Sequence, residues 1–112
     1  MNITLRIDST TNQKLSVSSE SSGRSKKMEA KNRVLDYIAR FSRWDKTSIQ
    51  SVDGSYSHVS FDLNIEENKL LNHFFSVNKK GMGVTRKTDA AALILQQHLS
   101  LFPDAPTYGD RE

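Results

Sequence analysis

Ile3, Leu5 and Ile7 alternate with Asn2, Thr4 and Arg6, the period of two expected of a strand with one buried face. Residues 9–22 are polar, with Leu15 and Val17 the large apolar exceptions, and residues 16–25 hold six serines. Composition alone would allow a flexible linker there. Beyond it, Gly23 supplies a turn and Ser25 a helix cap, and Ala30, Val34, Ile38 and Phe41 recur at helical spacing. The second half repeats the order. Val59, Phe61 and Leu63 alternate with His58, Ser60 and Asp62, and residues 65–77 predict an apolar helix. A basic, Gly-containing turn is expected over 79–87, then a helix carrying Ala91, Leu95, Leu99 and Phe102 that Pro103 stops.

An offset of 56 aligns Ile3/Val59, Leu5/Phe61, Ile7/Leu63, Asn12/Asn68 and Leu15/Leu71, and an offset near 61 aligns Ala30/Ala91, Ile38/Leu99 and Phe41/Phe102. The alignment makes the Ser-rich segment a helix and lengthens the second turn by about five residues. Residues 1–41 then form a first unit, 42–56 a connection with Asp53-Gly54 as its turn and Trp44 packed against it, 57–103 a second unit, and 104–112 an irregular tail. A lone strand leaves its backbone groups unpaired, so both units must pack as one domain with their strands paired. The expected fold is mainly α with a two-stranded antiparallel ribbon over four helices, an intramolecular pseudo-dimer. Its outer face carries Thr4, Arg6, Ser60 and Asp62, with Asn2 and His58 at the margins.

The 112 residues fit one domain. Cysteine is absent, which excludes thiol chemistry and disulfides, and His58, His73 and His98 have no metal-ligand spacing, so no cofactor is expected. No run reaches the roughly 20 apolar residues of a membrane span, and the N-terminus lacks a signal-peptide core, so a cytoplasmic protein is expected. The net charge is +3, with ten Lys/Arg against six Asp/Glu in residues 1–56 and six against seven thereafter, a bias that fits an anionic partner.

A two-stranded ribbon fits the major groove of B-DNA, where Arg6 can donate bidentately to guanine and Thr4 can bond a base edge or touch a thymine methyl. Asp62 can accept from cytosine or form an ion pair that orients Arg6, and Ser60 is a permissive contact. Phosphates suit the first helix start, at Arg24, Ser25, Lys26 and Lys27, and the second, at Thr85, Arg86 and Lys87 with Lys79 and Lys80 in the longer turn. Lys31, Arg40 and Arg43 read as a solvated helix face, and His73 as a partly packed helix residue. Glu66, Glu67 and Asp89 are the carboxylates a nuclease would use, but acidic residues at a helix start are favoured by the dipole alone. No enzyme is expected.

The run ITLRID (3–8), TNQKL (11–15) and SGRSK (22–26) before a Val/Leu/Ile/Phe helix resembles a ribbon-helix-helix unit. More particularly, SGRSK, EA (29–30) and RVLDYIARF (33–41), with RKTD (86–89), HL (98–99) and FPD (102–104), resemble the TraY family of tandem ribbon-helix-helix proteins of F-type conjugative plasmids. Asp62 and the GMG insertion (81–83) depart from that pattern. The resemblance implies a relaxosome accessory factor that binds and bends the transfer origin, aids relaxase nicking and acts at a transfer-operon promoter. Its partners would be double-stranded DNA, the relaxase and other relaxosome proteins, with a monomer as the folded species and several chains on one site. The alternatives are a plain plasmid or phage ribbon-helix-helix repressor and, further off, a protein-interaction adaptor.

Overall fold

The computed structural model describes residues 1–44 and 56–102. They form β1 (Asn2–Asp8), α1 (Ser9–Ser22), α2 (Lys26–Arg40), β2 (Tyr56–Asp62), α3 (Ile65–Met82) and α4 (Lys87–Leu101). The protein is mainly helical with one two-stranded antiparallel sheet. Its register pairs Asn2 with Asp62, Thr4 with Ser60 and Arg6 with His58 on one face, and Ile3 with Phe61 and Leu5 with Val59 on the other. Met1 lengthens the pairing by a rung, its ammonium donating to the Leu63 carbonyl and its carbonyl accepting from the Leu63 amide, both at 2.8 Å.

Alternation puts Ile3, Leu5, Ile7, Val59 and Phe61 against the helices, where they join Leu15, Val34, Leu71, Phe74, Ile94, Leu95 and Leu99 in one core. The chain leaves each strand directly into a helix. Asp8 caps α1 by accepting from the Thr11 amide, and Asn64 caps α3 in a reciprocal box with Glu67. The Ser-rich run forms α1 because Leu15 enters the core while Ser18 and Ser19 lie buried against polar partners. Both α1 and α3 end on a glycine in the left-handed region, Gly23 at φ +78° and Gly83 at φ +70°.

Three expectations change. The length added in the second half is mostly helix, since α3 runs on to Met82 and Lys79 and Lys80 occupy its last turn, where cations meet the negative dipole end. Strand β2 begins at Tyr56, inside the stretch read as a connection. His73 is exposed. Trp44 does pack, its ring 5.8 Å from that of Tyr37 and its amide donating to Asn78 at 2.9 Å. Asp53-Gly54 and residues 103–112 lie outside the described residues.

A buried polar network ties α1, α2 and α4 together. Arg33, fully buried, donates to Glu29 (3.0 Å), Ser18 (2.7 Å), His98 Nδ1 (2.8 Å) and the Phe102 carbonyl (2.8 Å). Ser18 and Ser22 donate to Glu29, and Arg24 pairs with it at 2.9 Å. Guanidinium can only donate, so His98 Nδ1 accepts, and its Nε2–H donates to Asp36 at 2.8 Å. Asp36 also takes Arg40 at 2.6 Å. At the offsets of 56 and 61 the second half has Phe74, Ala90 and Ile94 where the first has Ser18, Glu29 and Arg33. The polar cluster therefore sits on one side of the core only.

Burial drives the His98 pKa down, against the pull of Asp36 and with the push of the Arg33 charge. Burial raises that of Glu29, but hydrogen bonds from Ser18, Ser22 and Arg33 and the Arg24 charge outweigh it and leave it lowered. Below about pH 6.5 the unfolded histidine takes up a proton that the folded one refuses, so stability declines as pH falls from 6.5 toward the folded value. The Glu29 contribution is complete above pH 4.5 and is lost as pH falls below it. Urea unfolding across pH 4 to 8 is expected to give a midpoint that drops below pH 6.5, with His98→Asn flattening the upper part of that drop and leaving the loss below pH 4.5.

Candidate nucleic-acid interface

The face of the ribbon opposite the core carries Asn2, Thr4, Arg6, His58, Ser60 and Asp62, and among the described residues no helix covers it. Strand alternation dictates this set, because each core residue forces its neighbours outward. Ser60 is half-buried and the other five are exposed. At the centre the Thr4 and Ser60 hydroxyls share a hydrogen bond of 2.7 Å. At one end Asn2 Nδ2 donates to Asp62 Oδ1 at 3.2 Å. At the other the Arg6 guanidinium lies 4.0 Å from the centre of the Tyr56 ring. The register thus places Asp62 opposite Asn2 and Arg6 opposite His58, so of the two alternatives for Asp62 the ion pair with Arg6 does not form.

The face presents four kinds of group: an arginine fork, hydroxyls, a carboxylate beside an amide, and an imidazole. The Arg6 end is rich in donors and the Asp62 end in acceptors.

Residues 3–51 match the model of the TraY domain. Over this segment the chain is similar to the TraY family. Neither a curated protein nor a solved structure matches the chain. The TraY segment contains β1 from Ile3 onward, α1 and α2, hence Thr4, Arg6 and the first helix start, whereas Asn2, His58, Ser60 and Asp62 lie outside it.

In the TraY segment the start of α2 is capped by Ser25, which accepts from the Met28 amide at 3.2 Å. Lys26 does not project freely. Its Nζ donates to Asn12 Oδ1, one turn into α1, at 2.6 Å, while Lys27 is exposed. Lys87 at the start of α4 makes the same bond to Asn68, one turn into α3, at 2.8 Å, and lies 3.7 Å from the Met1 sulfur. Because α1 and α3 leave the two strand ends directly, these clamps tie the second helices to opposite ends of the ribbon. Arg24 is held by Glu29, and Arg86 by Asp89 at 3.1 Å. Thr85 and Lys80 are exposed, and Lys79 lies 5.7 Å from the Phe75 ring.

Of the cations read as a solvated helix face, Lys31 pairs with Glu67 at 3.2 Å and Arg40 stacks 4.8 Å from the Phe102 ring as well as binding Asp36. Arg43 is exposed. Of the three nuclease-type carboxylates, Glu66 is exposed, Glu67 serves the α3 cap and Asp89 holds Arg86. Among the described residues no group of three His, Cys, Asp or Glu gathers as a metal site, and no helix is long and apolar enough to cross a membrane.

Sequence reasoning missed Tyr56, because a polar stretch with Asp-Gly precedes it and masks the strand start. It also missed the double duty of Lys26 and Lys87. The signal was present in the matching Asn12/Asn68 pair at an offset of 56. Lys26→Ala is expected to lower the unfolding free energy by about 1 kcal/mol through loss of the charged bond to Asn12. Lys27→Ala should leave it within about 0.5 kcal/mol, as for other exposed positions. Urea titration of both variants checks this.

Proposed function

We propose that the protein is a sequence-specific double-stranded DNA-binding protein that reads the major groove with its ribbon, and that its two strand–helix–helix runs are tandem ribbon-helix-helix units acting as one domain within a single chain. The observation that carries the reading is the polar outer face of a ribbon, uncovered among the described residues, whose other face sends Ile3, Leu5, Ile7, Val59 and Phe61 into the core. An isolated pair of strands is marginal in water, so a fold that buries one face and leaves the other polar and bare has a use for it. Two strands about 4.8 Å apart and roughly 24 Å long fit a groove about 12 Å wide.

The TraY domain match supports placing this activity in conjugative DNA transfer. The finer reading is an accessory factor that binds the transfer origin, assists the relaxase there and acts at the transfer-operon promoter. Asn2, Thr4, Arg6, His58, Ser60 and Asp62 face the bases. Phosphates are met at the helix starts by the exposed Lys27 and Thr85 and by the capping Ser25, with Arg24, Lys26, Arg86 and Lys87 contributing charge from anchored positions and Lys79 and Lys80 reaching in from the last turn of α3. One chain suffices for one ribbon, and several chains line up on a longer site.

Binding-site selection from random duplexes tests the reading. The two ends of the face differ, so the preferred site is asymmetric, with guanine concentrated in the half that meets Arg6. Arg6→Ala should cost about 1 to 3 kcal/mol on that site and relax the preference at one or two base pairs. A palindromic optimum, or unchanged preferences in a folded Arg6→Ala variant, contradicts it.

A further inference from the structure

We propose that Tyr56 is a positioning residue that holds the Arg6 guanidinium ready for base recognition, an inference that rests on the ribbon reading above. Both residues point to the same side of the sheet, Arg6 opposite His58 and Tyr56 opposite Asp8, so Tyr56 is the diagonal neighbour of Arg6. The guanidinium carbon lies 4.0 Å from the ring centre, well within the reach of a cation–π contact. Tyr56 is 50% exposed, so the ring stands on the outer face instead of filling the core.

The carboxylates nearest in the fold are otherwise engaged. Asp8 accepts from the Thr11 amide at 3.0 Å, Asp89 holds Arg86, and Asp62 meets Asn2 at the far end of the ribbon. Among the described residues the ring is therefore what fixes Arg6.

The kind of contact matters. A carboxylate partner would occupy the N–H edges of the guanidinium, the edges that guanine O6 and N7 require. An aromatic ring engages the face of the plane, and the donors lie in the plane. The ring contact thus removes rotamer freedom from a long side chain before binding, and it sets no carboxylate against the hydrogen-bonding fork. It acts at one end only, which sharpens the difference between the Arg6 and Asp62 ends.

The test crosses Tyr56→Phe and Tyr56→Leu with Arg6→Ala, using the full chain and a duplex selected from a random pool by the unmodified protein, with thermal melting to establish folding. Tyr56→Phe keeps the ring and should bind within a factor of two of the parent. Tyr56→Leu should weaken binding on the order of threefold and broaden the preference at the same base pairs that Arg6→Ala relaxes. In the Arg6→Ala background Tyr56→Leu should change nothing further. In the free protein, the Arg6 δ-proton resonances should carry a ring-current shift that Tyr56→Phe retains and Tyr56→Leu removes. If Arg6→Ala alters base preference and Tyr56→Leu does not, the positioning role is wrong while the ribbon reading stands. An equal loss from Tyr56→Leu with and without Arg6 would make Tyr56 a DNA contact in its own right and also overturn the inference. Unchanged preferences in Arg6→Ala would overturn the ribbon reading and this inference with it.

Discussion

The fold is organised by two strands that, among the described residues, have only each other as hydrogen-bonding neighbours. Asp8 and Tyr56 are paired across the sheet although 48 residues separate them, and among the described residues neither strand has a second neighbour. A two-stranded sheet gains too little from its own hydrogen bonds to persist in water, so Ile3, Leu5, Ile7, Val59 and Phe61 must be covered by helices from both halves of the chain. Covering that face fixes the other as polar and open. The candidate interface is thus the reverse side of the constraint that makes the protein fold.

The helices add a second kind of specification. Buried ions of the Glu29, Arg33 and Asp36 type add little net stability compared with well-packed apolar groups, yet losing one partner is expensive because the other stays charged and dry. Here Arg33 on α2 reaches His98 and the Phe102 carbonyl at the α4 end, and His98 reaches back to Asp36. The second half has Ala90 and Ile94 in the matching places. At the offset of 61 another α2 would present Tyr37 where α4 presents His98, whereas pairing α2 with α4 leaves every buried side-chain donor and acceptor among the described residues satisfied. The one-sided cluster favours the arrangement in which the two halves of the chain differ, and the outer face of the ribbon differs between its ends as well.

Much of this was readable before the structure. The alternation of Ile3, Leu5 and Ile7 and of Val59, Phe61 and Leu63 gave the outward residues without reference to coordinates, and the offset of 56 placed a helix on a serine-rich run that propensity alone would not support. Periodicity is insensitive to what a polar residue does once buried. Glu29 and Arg33 lie four apart on a helix, as any solvated pair does, and only packing against α1 and α4 turns them into core. His98 looked isolated because its partners are 62 and 65 residues away in sequence. The basic stretch at 79–87 read as a turn because Gly81 and Gly83 interrupt it, but one glycine sits inside α3 and only the other takes the left-handed cap. Lys26 and Lys87 read as open cations because a sequence does not tell which side chain across a turn will claim an ammonium.

The central claim is that the bare face of the ribbon, and no other surface, meets DNA bases. The most direct measurement is a nuclear magnetic resonance titration of the isotopically labelled chain with a selected duplex and with a scrambled duplex of the same length. The account predicts that the selected duplex perturbs the backbone and side-chain resonances of Thr4, Arg6, His58 and Ser60 in a way the scrambled one does not, while both perturb the helix starts around Lys27 and Thr85. Perturbations concentrated on the outer surfaces of α1 and α3, with the ribbon resonances unmoved by the selected duplex, would contradict it.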